Sequence, residues 1–506
     1  MLSPSFRRFL FYVPLLLLGA EALLHLLQVV TARIHYPYEL EWMEGGMLHQ
    51  VLRVLQGEPL YGQPSLDFVP ALYMPLYYYI SALSALIFGE NLFALRVVSV
   101  VASVATHALV FLIARRVTGS LLTAVLAVLF YALMFRHTGF WFDIARVDSL
   151  WTLLLAGALY CLLLCKDAPT NKNILLLALI SVMAFFTKQA TMFLFPFVAI
   201  TFLYWLNWRL LLRFVLFCIL MAVPLFAFYE IFSGKQFFFY TMQMASSHGV
   251  TFFGMRRFFD IVIFAVPAFW LASIYFCVHV GKSIRERMGW ISLVTGFIFL
   301  SGLSRSYAGA FYNVLMPLYF CLAITAATGF SWLVERSQTS WISSAFALLL
   351  LAGLSRDFLR YRFEPVTQIP TAESRAATEE LVKRIALLNG NVCVASHGYL
   401  AWLAGKQFCA HNTQVTDLVT GSDPELAQAL RDDARQKILS GYYQVIVLDR
   451  EKELLDLGLQ LADIPYTVTP IEYLHGPMQF PVNGVSPKLW LEFNGLEFKE
   501  EKNDAR

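Results

Sequence analysis

Charge is what this sequence has least of. Only 14% of its 506 residues are Asp, Glu, Lys or Arg, where a soluble globular chain carries about 25%. The net charge of +3 is small, and the basic residues gather at the ends of apolar stretches rather than on one face, which argues against a nucleic-acid partner. Cysteine is sparse too. Five of the seven (Cys161, Cys165, Cys218, Cys277, Cys321) fall in apolar blocks, where a thiol behaves as a small hydrophobe. No CxxC or Cys/His spacing marks a zinc site. The P-loop, GxSxG and HExxH motifs are missing, which argues against ATP-driven transport and the common hydrolases. No solenoid-type repeat or low-complexity tract is found.

What is abundant is apolar sequence, 58% of the chain, with 44 Phe and 23 Tyr suited to lipid-facing and interfacial positions. It arrives in blocks. The first follows Arg7-Arg8 and runs to about Val30, and it reads as a retained helix with a cytoplasmic N-terminus because no small-residue cleavage site follows. Ten more blocks are centred near residues 105, 128, 158, 180, 199, 222, 269, 296, 320 and 348, each long enough to cross a bilayer with some tilt. Alternating crossings put Arg115-Arg116, Lys166 with Lys172, Arg209 with Arg213, Lys282 with Arg285 and Arg287, and Arg336 inside, a positive-inside pattern that only Arg256-Arg257 breaks. Tyr73 to Phe88 is apolar as well, but a crossing there would reverse every later loop. It reads as a juxtamembrane or shallowly inserted helix opened by Pro75.

The expectation is therefore an all-α polytopic membrane domain of about eleven transmembrane helices over residues 1–356, with interfacial helices at about 45–90. After Gly353 charges become frequent. Val392–Ala395 and Val445–Leu448 read as strands, and Pro424–Leu439 as an amphipathic helix opened by Ser422/Asp423, giving a small α/β soluble domain over 357–506. Cys393 and Cys409 lie in this region. An oxidising compartment permits a disulfide between them, and two buried free thiols are the alternative.

Ionisable residues that do not serve topology mark function in a membrane chain. Here they gather in the expected outer loops. Glu41 and Glu44 fall about one helical turn apart directly after the first span, and such a pair suits a general base, a divalent-metal ligand, or both. An acidic N-capping loop is the plainer reading. Met47–Gln56 follows as an amphipathic helix ended by Gly57. After the third span, Asp143, Arg146 and Asp148 enter the next apolar helix, either as an internal ion pair or as a phosphate clamp beside a carboxylate. Arg96, Lys188, and Arg305 with Tyr307 and Asn313 sit at further outer ends. Singly each is an anchor or a helix end; together they suit a phosphate at headgroup level.

In order and context the chain resembles the GT-C superfamily of membrane glycosyltransferases, in particular bacterial relatives of protein O-mannosyltransferases and aminoarabinose transferases. The acidic Glu41/Glu44 motif follows the first span, and the interfacial helix ends in Gly57-Glu-Pro-Leu-Tyr61. Then come Tyr73-Met-Pro75-Leu-Tyr77-Tyr78, Phe88-Gly-Glu-Asn-Leu-Phe-Ala-Leu-Arg96, Arg146-Val-Asp148-Ser, Thr187-Lys188-Gln189, and Ser306-Tyr307 with Tyr312-Asn313. The resemblance covers about residues 1–330. It departs from the family at the first outer loop, where Glu41-x-x-Glu44 replaces the usual Asp-Glu pair. It implies a polyprenyl-phosphate-linked sugar as donor, an acceptor hydroxyl on a glycan, lipid or protein, transfer on the extracytoplasmic face of a bacterial inner membrane, and an acidic residue of the first outer loop as base. No cofactor is required by this reading, a divalent ion remaining open at the carboxylates. A lipid-linked sugar transporter or flippase would show an internal repeat and charges near span midpoints, and a non-catalytic scaffold would not need the clustered outer charges.

Overall fold

The computed structural model describes residues 4–247, 249–337, 340–421 and 423–494. Two compact units emerge: Met1–His35, Tyr73–Phe232 and His248–Ile369 form one, and Tyr36–Leu72, Ser233–Ser247 and Pro370–Arg506 the other.

The first unit is helical, and every apolar block named above lies in a helix. Among the described residues, seven helices are long and apolar enough to cross a membrane on their own: Phe9–Arg33, Leu92–Thr118, Val147–Asp167, Trp208–Phe232, Ile284–Ser306, Tyr312–Arg336 and Trp341–Arg360. Phe252–Ile263 and Pro267–His279 add an eighth if the pair, bent by 80°, is one broken span. Eleven crossings require the shorter apolar helices Leu121–His137, Asn171–Thr187 and Gln189–Trp205 to cross as well. Leu76–Phe88, opened by Pro75 at its N-cap, is also a short apolar helix.

Local chemistry sets the ends. Asn91 accepts from the Ala94 amide at the start of Leu92–Thr118, and Gly119, at φ +69°, ends it. Ser120, Thr170 and Ser283 cap the helices that follow them in the same way. Tyr312–Arg336 is the unit's centre, its apolar window fully buried. Pro267–His279 crosses it at Gly329, where a Cβ would meet the Ala272 carbonyl oxygen at 1.9 Å, so only glycine permits the approach. Ser273 and Thr325 join the two helices by a 2.8 Å hydrogen bond. Trp208–Phe232 buries only Leu210 and Phe214 and exposes Leu216, Leu220, Val223 and Ile231, as a lipid-facing helix does.

The second unit holds a four-stranded sheet of order β1-β2-β4-β3, with β1 at Asn391–Val394, β2 at Tyr443–Leu448, β3 at Tyr466–Pro470 and β4 at Leu489–Phe493. β1 and β2 are parallel, with Cys393 opposite Ile446, and the other pairs are antiparallel. The core sets Val392, Val394, Val445, Val447 and Trp490 against Leu381, Ile385 and Leu400, and Tyr38 joins it from the Tyr36–Leu72 segment. Pro424–Leu439 forms as expected, with Asp423 accepting from the Glu425 and Leu426 amides; Ser422 lies outside the described residues. The amphipathic helix after the acidic loop runs Glu44–Leu55. Cys393 and Cys409 are joined in a disulfide, Cα to Cα 5.4 Å. Cys409 reaches Cys393, on β1, from a loop.

Candidate active site

In the helical unit, four of the expected residues meet around one carboxylate. Asp148 sits in the first turn of Val147–Asp167, where the helix N-terminus favours negative charge. Its Oδ1 accepts from Lys188 Nζ at 2.6 Å, and its Oδ2 from Asn313 Nδ2 at 2.9 Å and Trp141 Nε1 at 3.1 Å. Asp148, Lys188, Asn313 and Arg146 are all buried. Arg146, at the N-cap of the same helix, donates from Nη2 to the Tyr73 hydroxyl at 2.9 Å, and its guanidinium lies 5.6 Å from the ring centres of Tyr73 and Trp141. Lys188 lies 4.8 Å from the Trp151 ring centre. The result is a buried, aromatic-walled ionic cluster in which every oxygen of one carboxylate has a donor. In such surroundings a fixed cation or dipole acts strongly on any charge brought beside it.

Asp143 does not join this cluster. Its carboxylate is held by Arg33, with Nε to Oδ2 at 2.5 Å and Nη2 to Oδ1, while the same Nη2 reaches the Phe140 carbonyl. Arg33 is fully buried, although its sequence position suggests no more than the exit of the first span. Arg96 is buried beside it and donates from Nη1 to the Arg33 carbonyl at 3.4 Å. Arg305 is placed differently again. Its guanidinium lies 5.7 Å from the Tyr312 ring centre, and its buried Nε has no hydrogen-bond partner among the described residues. Tyr307 is half-buried and pairs through its main chain with Val250. Asn313 is the residue of the late segment that reaches Asp148.

The other unit holds the acidic loop. Glu41 and Glu44 are buried. Glu44 Oε2 accepts from the Leu40 amide at 2.7 Å, and Glu41 Oε2 from the Met43 amide at 3.2 Å, so each carboxylate folds back on the turn that opens Glu44–Leu55. Glu39, which opens the same acidic run, is buried nearby against His397. Among the described residues, no three His, Cys, Asp or Glu side chains converge in a metal-binding arrangement.

Residues 69–232, which carry Tyr73, Arg96, Trp141, Arg146, Asp148 and Lys188, match the family described as dolichyl-phosphate-mannose-protein mannosyltransferase. The chain is 33% identical over 155 residues to the undecaprenyl phosphate-alpha-4-amino-4-deoxy-L-arabinose arabinosyl transferases of Pseudomonas paraeruginosa (strain DSM 24068 / PA7) and Pseudomonas aeruginosa (strain UCBPP-PA14). That stretch spans 29% of this chain and 28% of each relative. Over 94% of its length the chain follows the crystal structure of ArnT from Cupriavidus metallidurans bound to undecaprenyl phosphate, covering 97% of that chain with a TM-score of 0.59 and 12% identity. The apo form of the same enzyme gives 0.55 and 13%, over 88% of this chain and 92% of that one. The chain is thus a multi-pass membrane protein with the GT-C fold. It is related to the aminoarabinose transferases.

Proposed function

We propose that the protein transfers a sugar from a polyprenyl-phosphate donor to an acceptor hydroxyl on the extracytoplasmic face of the membrane. The observation that carries this reading is that the family match at residues 69–232 covers the part of the chain that builds the buried Arg146–Asp148–Lys188 cluster. A polyprenyl phosphate leaves as an anion, so its departure needs cations more than a proton donor. Arg305, with a buried Nε still free to donate among the described residues, has the spare capacity for a phosphate oxygen, and Arg96 and Arg146 are the further candidates. Glu41 or Glu44 takes the acceptor proton in this reading, both being buried carboxylates on a turn fixed by main-chain amides. The Cys393–Cys409 disulfide supports an oxidising, extracytoplasmic location for the C-terminal residues.

Glutamine at position 41 or 44 keeps the size of the side chain and cannot take a proton. At least one of Glu41→Gln and Glu44→Gln should abolish transfer while the protein still accumulates in the membrane. Wild-type turnover in both variants would remove the acidic turn from the mechanism.

A further inference from the structure

The acidic turn is held by residues that lie far away in sequence. The Trp42 amide donates to the Asn483 carbonyl at 3.1 Å, and the Val482 amide to the Leu40 carbonyl at 3.2 Å. The Tyr399 hydroxyl donates to the Pro37 carbonyl, and His411 Nε2 to that of Trp42. The ionic tie is His397. Its Nδ1 is 2.7 Å from Glu39 Oε2, while its Nε2 is 3.0 Å from the Val485 carbonyl and 3.5 Å from Asp449 Oδ2. Both ring nitrogens thus face acceptors, an arrangement that only the doubly protonated ring satisfies. Glu39 passes the restraint on. Its other oxygen accepts from the Gly45 amide at 3.1 Å, at the start of the helix that Glu44 opens. A Cβ on Gly45 would lie 2.3 Å from that oxygen and 2.6 Å from Tyr399 Cβ, so glycine is what allows the carboxylate to reach the helix end.

We propose that His397 is a positioning residue: as an imidazolium clamped between Glu39 and Asp449, it sets the turn that carries Glu41 and Glu44. The C-terminal residues then act on transfer through this turn. The idea rests on the reading that Glu41 or Glu44 handles the acceptor proton. The disulfide strengthens the clamp, since Cys393 precedes His397 by four residues and Cys409 precedes His411 by two. Burial opposes a charge on His397, but Asp449 and Glu39 outweigh it and hold the imidazole well above its ordinary pKa. The carboxylates facing the ring are Glu39 from the acidic loop, Asp449 from the end of β2 and, one step further, Glu453. Glu453 accepts from Ser396 Oγ and the Asp449 amide, and burial, then Asp449, pushes its carboxyl up to about 7. A raised folded-state pKa means that the ring keeps its charge through the ordinary histidine range and loses it as pH rises through the raised value.

The test uses the full-length protein in nanodiscs. In His397→Gln, kcat should fall roughly 100-fold, the order expected when a reacting group is displaced by about 1 Å, with the donor KM changed much less. Hydrogen exchange of residues 39–48, corrected for intrinsic rates, should lose its protection at every pH. In the wild type the same protection should fall as pH rises through the raised value of the ring. Asp449→Asn, which removes one counter-charge, should move that fall to lower pH and is the second arm should His397→Gln not fold. Wild-type protection in His397→Gln, or an unmoved pH profile in Asp449→Asn, overturns the proposal. If Glu41→Gln and Glu44→Gln both turn over normally while His397→Gln loses protection, the assignment of the base has failed and the clamp has not.

Discussion

Leucine at position 148 removes the one acceptor shared by Lys188, Asn313 and Trp141, and the structure gives the size of the effect. The Lys188 ammonium is left in a site where it is buried and where its ion pair at 2.6 Å was with Asp148. Breaking a buried pair on one side costs about 3–5 kcal/mol. Replacing both partners is cheaper, because the ammonium is then not stranded. Asp148→Leu with Lys188→Met still leaves the Trp141 and Asn313 donors short of an acceptor, roughly 1–3 kcal/mol for each, a cost that Asp148→Leu alone carries too. The double variant should therefore be more stable than Asp148→Leu alone, a coupling of opposite sign to simple addition. Unfolding of the wild type, Asp148→Leu, Lys188→Met and the double variant in one detergent, followed by tryptophan fluorescence, reads this directly, since Trp141 and Trp151 border the pair. Transfer should be lost in both the single and the double variant. A double variant as unstable as the sum of its parts would refute the buried-pair account, and a transfer-competent one would refute the cluster's place in catalysis.

Three further outcomes follow from the geometry. Arg305→Lys keeps the charge but loses the planar fork, so it should raise the donor KM while leaving stability near the wild type, read by transfer kinetics and unfolding midpoints. Removing the disulfide by Cys409→Ala opens a loop with a sequence separation of 16, which in the chain-entropy account costs about 3 kcal/mol; mass spectrometry of the untreated protein should find the bond, and two free thiols would contradict the location proposed for this unit. A topology reporter fused after Lys282 should read cytoplasmic and one after Val392 extracytoplasmic; a cytoplasmic reading after Val392 would mean that the crossings are miscounted by one, with Leu76–Phe88 the helix to re-examine.

What the sequence made legible was local. Each apolar block became a helix, because block length and the polar breaks between blocks are properties of neighbouring residues. Pro424–Leu439 kept its expected bounds, because Asp423 caps it and its apolar period is short-range. Of the site, Asp148 and Lys188 stood out as ionisable residues in apolar surroundings. Their pairing did not, since 40 residues separate them and Asn313 lies 165 residues from Asp148. Asp143, as a neighbour in sequence, was with Asp148 a candidate partner of Arg146, whereas Arg33, 110 residues away, holds it. Glu39 opens the acidic run of the first outer loop, but its partner His397 lies 358 residues away and in no motif, so the pairing left no trace. Side chains that meet through tertiary packing carry no periodic signal, and that is where this protein keeps its ionic chemistry.

The central claim is sugar transfer from a lipid phosphate, and its most direct test is release of the carrier. Purified protein in nanodiscs should be incubated with polyprenyl-phosphate sugars of several kinds and a membrane extract as acceptor, with free polyprenyl phosphate followed by mass spectrometry. The account predicts release with at least one donor, dependent on the acceptor and abolished in Asp148→Asn. No release with any donor, while the lipid-linked sugar crosses the bilayer intact, would contradict it and make the protein a carrier of that lipid.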